Sequence, residues 1–322
     1  MKPAPSKATA FAHPKITAFA PATVANVAVG FDILGFAMPV VGDRVTVEVV
    51  PGSREIEITS ITGVVTELPR DAAKNTATVA LQTLIDEHGL KHGFRVSIEK
   101  GITMGSGMGG SAASAVGAVV AGAHASGLSL TREQLLKCAL DGEAVASGAV
   151  HADNVAPCLY GGLTLAISTD PVRIVRIPTP PELLCVLVHP HLKVETRHAR
   201  SILKPQILLR EHVLQSAHLA GLITGCHQGD IELIRSTLID ILIEPQRSVL
   251  IPGFDDAKVQ AIDQGALGFS ISGSGPSVFA WTSSRNAAER VKIAIVRAFE
   301  HHKIAADAWI GPVGGAGAHV IG

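Results

Sequence analysis

Apolar and polar residues alternate with a period of two along several short runs of this chain, and each run predicts a strand with one dry face. Val45, Val47 and Val49 form one such run, and Phe94, Val96 and Ile98, within residues 94–100, form another. Residues 16–20 begin the first strand, and Ile56 with Ile58 mark one more. Helical spacing takes over at residues 75–89, with Val79, Leu84 and Ile85 among the apolar positions and Gly89 as the stop signal. Thr131 and Gln134 have capping-box spacing for a helix that continues through Leu135, Leu136, Ala139 and Leu140 to about Ser147. Small residues fill positions 142–157, and Pro157 is expected to close that segment.

Residues 161–169 and 172–177 pattern as a hairpin, and the proline-rich positions 177–181 mark a change of domain. Beyond it, 183–188 reads as a short buried strand, and TRHAR (196–200) leads towards helical segments at about 206–227 and 229–242. EPQRSVLIPGF (244–254) reads as an irregular, proline-bounded stretch. Strands at 268–272 and 277–281 surround GSGPS (273–277), residues 286–301 form the last helix, and 306–310 the final strand. Helices combined with antiparallel strands predict an α+β sandwich for this half.

Composition narrows the functions open to such a chain. At 322 residues it suits two domains, and with 47% hydrophobic and 17% charged residues it is globular. Lys and Arg number 27 against 28 Asp and Glu, and aromatics are 4%, so nothing favours nucleic acid or an anionic membrane as partner. The longest charge-free apolar stretch, residues 101–122, has clustered glycines and several serines, which argues against a membrane span. Residues 1–14 lack the apolar core of a secretory signal and are read as a flexible N-terminal extension. Cys138, Cys158, Cys185 and Cys226 form no CxxC pair, as expected of free thiols in a reducing cytoplasm. The 14 histidines lack zinc-ligand spacing.

The chemistry gathers around GITMGSGMGGSAASAVGAVVAG (101–122), a glycine-rich turn between a strand and a helix of small apolar residues. Such a turn converges backbone N–H groups at a helix N-terminus and binds anions. No Asp or Glu lies between Gly101 and Thr131 to repel a phosphate. Gly105, Gly107 and Gly110 formally match a dinucleotide fingerprint, yet the first acid after Glu99 is Glu133, too distant for the ribose. No lysine follows the glycines, so the Walker pattern fails too. A phosphate loop of a third kind remains, with a small-residue loop made for close helix packing as the alternative. Asn26 and Asp32, in a mostly apolar segment, either satisfy local backbone or face a ligand. Glu143, among Ala, Gly and Val, should meet a cation or metal unless it marks a solvated helix end.

Three segments, APATVANVAVGFDILG (20–35), GSGMGGSAAS (105–114) and ISGSGPSVF (271–279), resemble the three signature motifs of the GHMP small-molecule kinases. The resemblance spans nearly the whole chain after residue 15. The block 142–162, TRHAR, EPQR and the GAGAHVIG tail resemble the branch of that family that phosphorylates L-homoserine, on the route to threonine. It implies a two-domain α+β fold, with an N-terminal ATP-binding α/β domain at 15–175 and a C-terminal ferredoxin-like α+β sandwich at 176–322. It also implies an active site in the cleft between domains, ATP and Mg2+ as cofactors, and a cytoplasmic homodimer.

Residue by residue, the resemblance places Met104, Gly105, Ser106, Gly107, Met108, Gly109, Gly110, Ser111 and Ala112 around the ATP phosphates and Asn75 near the adenine. Ser111 and Glu143 resemble the Mg2+ ligands, and Asn26 and Asn154 the pair around the substrate hydroxyl. Asp32 resembles the acceptor for the substrate ammonium, and Arg200 and Arg247, with Thr196 and His151 nearby, the clamp on its carboxylate. Some relatives carry an Asp and Lys pair as base and activator. Asn154, at the position facing the hydroxyl, cannot take a proton, so direct attack without a dedicated base is expected, with Asp153 as rival base. Two departures stand out: G-M-G-G-S (107–111) replaces the usual G-L-G-S-S, and Ala28 replaces a glycine. Two alternatives accompany this reading: a GHMP kinase for another small alcohol, or a non-catalytic nucleotide-binding regulator.

Overall fold

The computed structural model describes residues 15–147 and 151–321; the extension expected at 1–14 lies outside the described residues. Strands β1 (Lys15–Ala25) and β2 (Leu34–Pro51) pair antiparallel, followed by β3 (Ile56–Gly63), α1 (Thr76–Glu87) and β4 (His92–Lys100). Next come α2 (Gly110–Ala125), α3 (Arg132–Ser147), α4 (Ala152–Tyr160) and the hairpin β5 (Leu163–Thr169) and β6 (Val172–Ile177). The second half runs through β7 (Leu184–Pro190), α5 (Thr196–Ser201), α6 (Leu209–Gln228), α7 (Ile231–Thr237), α8 (Glu244–Arg247) and α9 (Phe254–Asp263). It ends with β8 (Gly268–Ile271), β9 (Val278–Thr282), α10 (Arg285–His301), β10 (Ala306–Pro312) and β11 (His319–Val320).

Two sheets result. The first runs β11-β1-β2-β4-β3, with β5 paired to β2 and β6 to β5; the second has the order β10-β7-β9-β8 and is antiparallel throughout. A β-α-β-β-α-β path in that order is the ferredoxin-like arrangement, with α9 and α10 packed on the sheet. Phe36 of β2 meets Phe279 and Trp281 of β9 edge-on, at ring distances of 6.1 and 5.7 Å, so the halves share one apolar core.

Helix α2 is buried around nearly its whole circumference, as expected of a helix with no polar face. Its small residues are what let it lie so close to the sheet. A Cβ at Gly117 would come within 2.8 Å of Val45, and one at Gly122 would overlap Leu81. Close packing therefore accounts for the helical glycines, whereas Gly105, Gly107 and Gly109 have φ of 67°, 76° and 68° and make the turn.

Several boundaries differ from the expected ones. Pro157 lies inside α4 instead of closing the segment. It lacks the N–H that would bond the Asp153 carbonyl, and that oxygen instead packs against Gly35, where any Cβ would overlap it. TRHAR is itself the helix α5, and 244–247 is a helical turn, not irregular chain. The cause is Asp240, which accepts the backbone N–H groups of Leu242, Ile243 and Glu244 at 2.9, 3.0 and 2.8 Å. That cap also explains why the preceding helix stops at Thr237, short of 242. Helix α9 was not anticipated, and neither was β11, which carries the chain's tail back to β1 through the pairs Ala18–Val320 and Phe19–His319. All four cysteines are buried free thiols.

Candidate active site

The glycine turn between β4 and α2 is held from both sides. Beneath it, buried Lys100 pairs with buried Asp43 and donates to the Gly110 carbonyl at 2.7 Å and to Ser114 Oγ at 2.9 Å. Asp43 also accepts the N–H groups of Gly101 and Ile102 at 3.1 and 3.3 Å. From above, Ser272 donates to the Gly107 carbonyl at 2.7 Å, and the Ser277 N–H donates to the Ser106 carbonyl at 3.1 Å. The loop carbonyls are thus turned into protein partners. The N-cap of α2, Gly109, carries no side chain to cap the first helical N–H groups, an arrangement suited to binding an anion. Sequence reasoning missed Lys100, Asp43 and Ser272 because each acts on the loop from a strand or turn whose own pattern reads as core.

Ser111, in the first turn of α2, donates to Glu143 Oε1 at 3.0 Å. Glu143 is 3% exposed, and its Oε2 has no hydrogen-bond partner. A buried carboxylate oxygen without a partner is costly, and a hard cation would satisfy it together with the serine hydroxyl. Among the described residues no three His, Cys, Asp or Glu converge, so a cation here would draw its other ligands from phosphate and water. His151, the N-cap of α4, brings Nδ1 to 3.5 Å from Glu143 Oε1, and its pKa is raised, chiefly by that carboxylate.

Asn154 sits in the first turn of α4, where its Oδ1 accepts the Thr23 hydroxyl at 2.7 Å. Any side chain at Gly109 would overlap that Thr23 hydroxyl, so this glycine also serves a close approach. Asn26 accepts the Asp32 N–H at 3.0 Å and donates to the Gly273 carbonyl at 2.8 Å. One end of its amide therefore serves the 26–32 loop and the other ties that loop to the turn at Gly273, while the residue also lines the cleft. Asn26, Val27 and Ala28 all have positive φ, and Ala28, at 58°, holds a conformation that the more usual glycine adopts without strain.

On the far wall Arg200 grips Asp32 with two parallel bonds, Nη1 to Oδ2 at 2.9 Å and Nη2 to Oδ1 at 2.8 Å. Arg247 is buried and donates to the carbonyls of Ala199 and Gly273, both at 3.1 Å. Both guanidinium groups lie over the ring of Phe31, at 5.4 and 5.1 Å. Burial first, and then the charge of Arg200, lower the pKa of Arg247. Gln215 ties this wall to the 26–32 loop, donating to the Val29 carbonyl and to Asp240 and accepting the Ile241 N–H. Thr196 meets Ser274 at 3.3 Å.

These parts line one cleft of about 580 Å³. It brings together Asn26, Asp32, Asn75, residues 104–111, Glu143, His151, Asn154, Thr196, Arg200 and Arg247. Ala112 does not reach the wall; it is buried in the first turn of α2, where it packs. Asn75 reaches it as the N-cap of α1, with its amide committed to Ala77 N–H and the Pro69 carbonyl. Beside it Val65, Leu68 and half-exposed Met104 offer an apolar surface.

Comparison with known proteins agrees with this geometry. The family description "GHMP kinases N terminal domain" matches residues 75–162, and "GHMP kinases C terminal" matches 222–301. A homoserine kinase of Xylella fastidiosa is 46% identical over 97% of this chain and 96% of its own. One from Chloroherpeton thalassium is 42% identical over 95% of this chain and 99% of its own. The crystal structure of homoserine kinase from Cytophaga hutchinsonii superposes with a TM-score of 0.93 at 43% identity, covering 98% of this chain and all of that one. The chain belongs to the homoserine kinase family of the GHMP kinases.

In this GHMP kinase the most perturbed carboxyl on the cleft wall is Asp153, pushed up to about 7 by burial and then by the charge of Asp32. Its unfolded-chain value is about 4, so between pH ~4 and ~7 the native kinase holds a proton that the unfolded chain has released. Stability from this group is therefore lost as pH rises through that window, by about 1.4 kcal/mol per pH unit at the steepest. The raised pKa of His151 acts in the same direction, its contribution present below ~6.5 and lost above. Urea denaturation at pH 5.5 and 7.5 should show the kinase less stable at the higher pH, and Asp153→Asn should remove most of that difference. Equal pH dependence in the two proteins would rule this out.

No helix among the described residues is long and apolar enough to cross a membrane.

Proposed function

We propose that this kinase transfers the γ-phosphoryl group of ATP to the side-chain hydroxyl of L-homoserine, giving O-phospho-L-homoserine on the route to threonine. One observation carries the reading: a single cleft holds an open helix N-terminus at one end and Asp32 with two stacked arginines at the other. The helix suits a phosphate, and the charged wall suits an amino-acid zwitterion. Neither a sugar nor mevalonate carries an ammonium for Asp32, so either would leave part of that wall unmatched.

Residues 104–111 would surround the phosphates, and the apolar wall near Met104 and Asn75 the adenine. Ser111 and Glu143 would hold Mg2+, which supplies charge neutralisation on the phosphates when bound. Asp32 would take the substrate ammonium, Arg200 and Arg247 its carboxylate, with Thr196 and His151 beside them. Asn154, oriented by Thr23, would face the hydroxyl. Phosphoryl transfer has a loose transition state, so positioning does most of the work, and the hydroxyl proton passes directly to a phosphate oxygen. Residues 15–175 would form the nucleotide half and 176–322 the other, in a cytoplasmic homodimer without nucleic-acid or membrane partners.

A second mechanism has its own observation. Asp153 Oδ1 is buried without a partner, and a carboxyl near pKa 7 suits a general base. Asp153→Asn separates the two: direct attack predicts a kcat within about tenfold of the unmodified kinase, whereas a base predicts a loss of ~10²–10⁴ at unchanged affinity. The substrate is tested by ADP release with L-homoserine, D-homoserine, L-serine, mevalonate and galactose. Turnover confined to L-homoserine supports the proposal. Turnover with mevalonate or galactose would sink it, and nucleotide binding without turnover on any alcohol would favour a regulator.

A further inference from the structure

The two groups expected to hold opposite ends of a zwitterion hold each other. Arg200 uses two of its donors on Asp32, and both oxygens of Asp32 are taken by Arg200. The pair joins residues 168 apart in sequence, and its side chains are 42% and 38% exposed, so it can open at modest cost. The two arginines differ in freedom. Arg247 is pinned by the carbonyls of Ala199 and Gly273, whereas Arg200 rests on the face of Phe31 and has Asp32 as its one charged partner among the described residues.

We propose that the Asp32–Arg200 pair is a selectivity lock opened by exchange: a zwitterion replaces one internal ion pair with two external ones. Its carboxylate takes the Arg200 fork while its ammonium takes the released Asp32. A ligand with a carboxylate alone would strip Arg200 from Asp32 and leave that carboxylate unpaired beside Asp153. A ligand with an ammonium alone would leave Arg200 unpaired beside Arg247, above the same ring. Either partial ligand must break the internal pair while recovering only half of what it breaks. Selection against such ligands is then built in by the competing internal partner as well as by missing contacts. This rests on the homoserine reading above.

The test uses two probes that each lack one charge of homoserine: 4-hydroxybutanoate, without the ammonium, and 3-aminopropan-1-ol, without the carboxylate. Affinities of the full chain are measured by calorimetry. Asp32→Asn should bind 4-hydroxybutanoate roughly 3–5-fold tighter than the unmodified kinase, the size expected for releasing a half-exposed pair. Arg200→Met should bind 3-aminopropan-1-ol tighter by a similar factor, and both variants should bind L-homoserine more weakly. Removing a negative charge also favours anions through space, so the first gain is measured again in an Arg200→Met background. Exchange predicts that it vanishes there. A gain that persists in that background, or no gain in either single variant, overturns the lock. Failure of the unmodified kinase to bind L-homoserine would instead overturn the functional reading beneath it.

Discussion

Glu143→Gln is expected to lower kcat by roughly two to three orders of magnitude and to abolish the Mg2+ dependence of nucleotide binding. The amide keeps the shape of the side chain, and its oxygen still accepts the Ser111 hydroxyl that Oε1 accepts now. What disappears is the charge on a carboxylate that is 3% exposed, with one oxygen unpartnered. A structural carboxylate bonded only to Ser111 and His151 would tolerate this change with little loss of rate. Nucleotide affinity measured with and without Mg2+, alongside steady-state kinetics, decides between the two. Tight binding that responds to Mg2+ as in the unmodified kinase would remove Glu143 from the metal site.

Lys100→Met is the variant expected to cost most stability, about 3–5 kcal/mol, because it leaves Asp43 charged and buried without its cation. The Gly110 carbonyl and Ser114 lose a donor in the same step, so the first turn of α2 should loosen and ATP affinity should fall too. Denaturation midpoints in urea report the first effect, and ATP titration of the folded variant reports the second. Asp43→Leu combined with Lys100→Met should recover part of the loss, as both charges are then gone. Recovery would be incomplete, since Gly101 and Ile102 N–H would still lack their acceptor. A loss below about 1 kcal/mol for the single variant would show that water reaches Asp43 and that the pair is not the loop's foundation.

Sequence was most informative where the physics is local. Alternation in β4, glycines at the turn and small residues through α2 lie next to one another along the chain, and each restricts the backbone where it stands. Strand, tight glycine turn and buried helix followed from them directly. The Thr131 and Gln134 box is bonded as its spacing implies, at 3.3 and 2.9 Å. Reading failed where a local signal was answered from elsewhere. Pro157 is a breaker by itself, but Gly35 of β2, with no side chain, leaves room for the carbonyl it frees, and α4 continues. EPQR looked irregular because its cap, Asp240, stands before it on a turn that sequence had assigned to helix.

By itself, then, the chain's pattern determined the glycine-rich turn and the α+β character of the second half, and the resemblance of its motifs to the GHMP kinases implied the rest of the fold and the residues expected along the cleft. The tertiary structure alone decided what those residues are bonded to. Asp43 reaches Gly101 across 58 positions, Ser272 reaches Gly107 across 165, and Arg200 finds Asp32 across 168. Periodicity assigns a side chain to a face and a turn residue to a dihedral angle. It contains nothing about which distant face will close over it. That choice is made when one face of each sheet closes on a shared core, and the polar groups left at its edge take whichever partners the closure sets beside them.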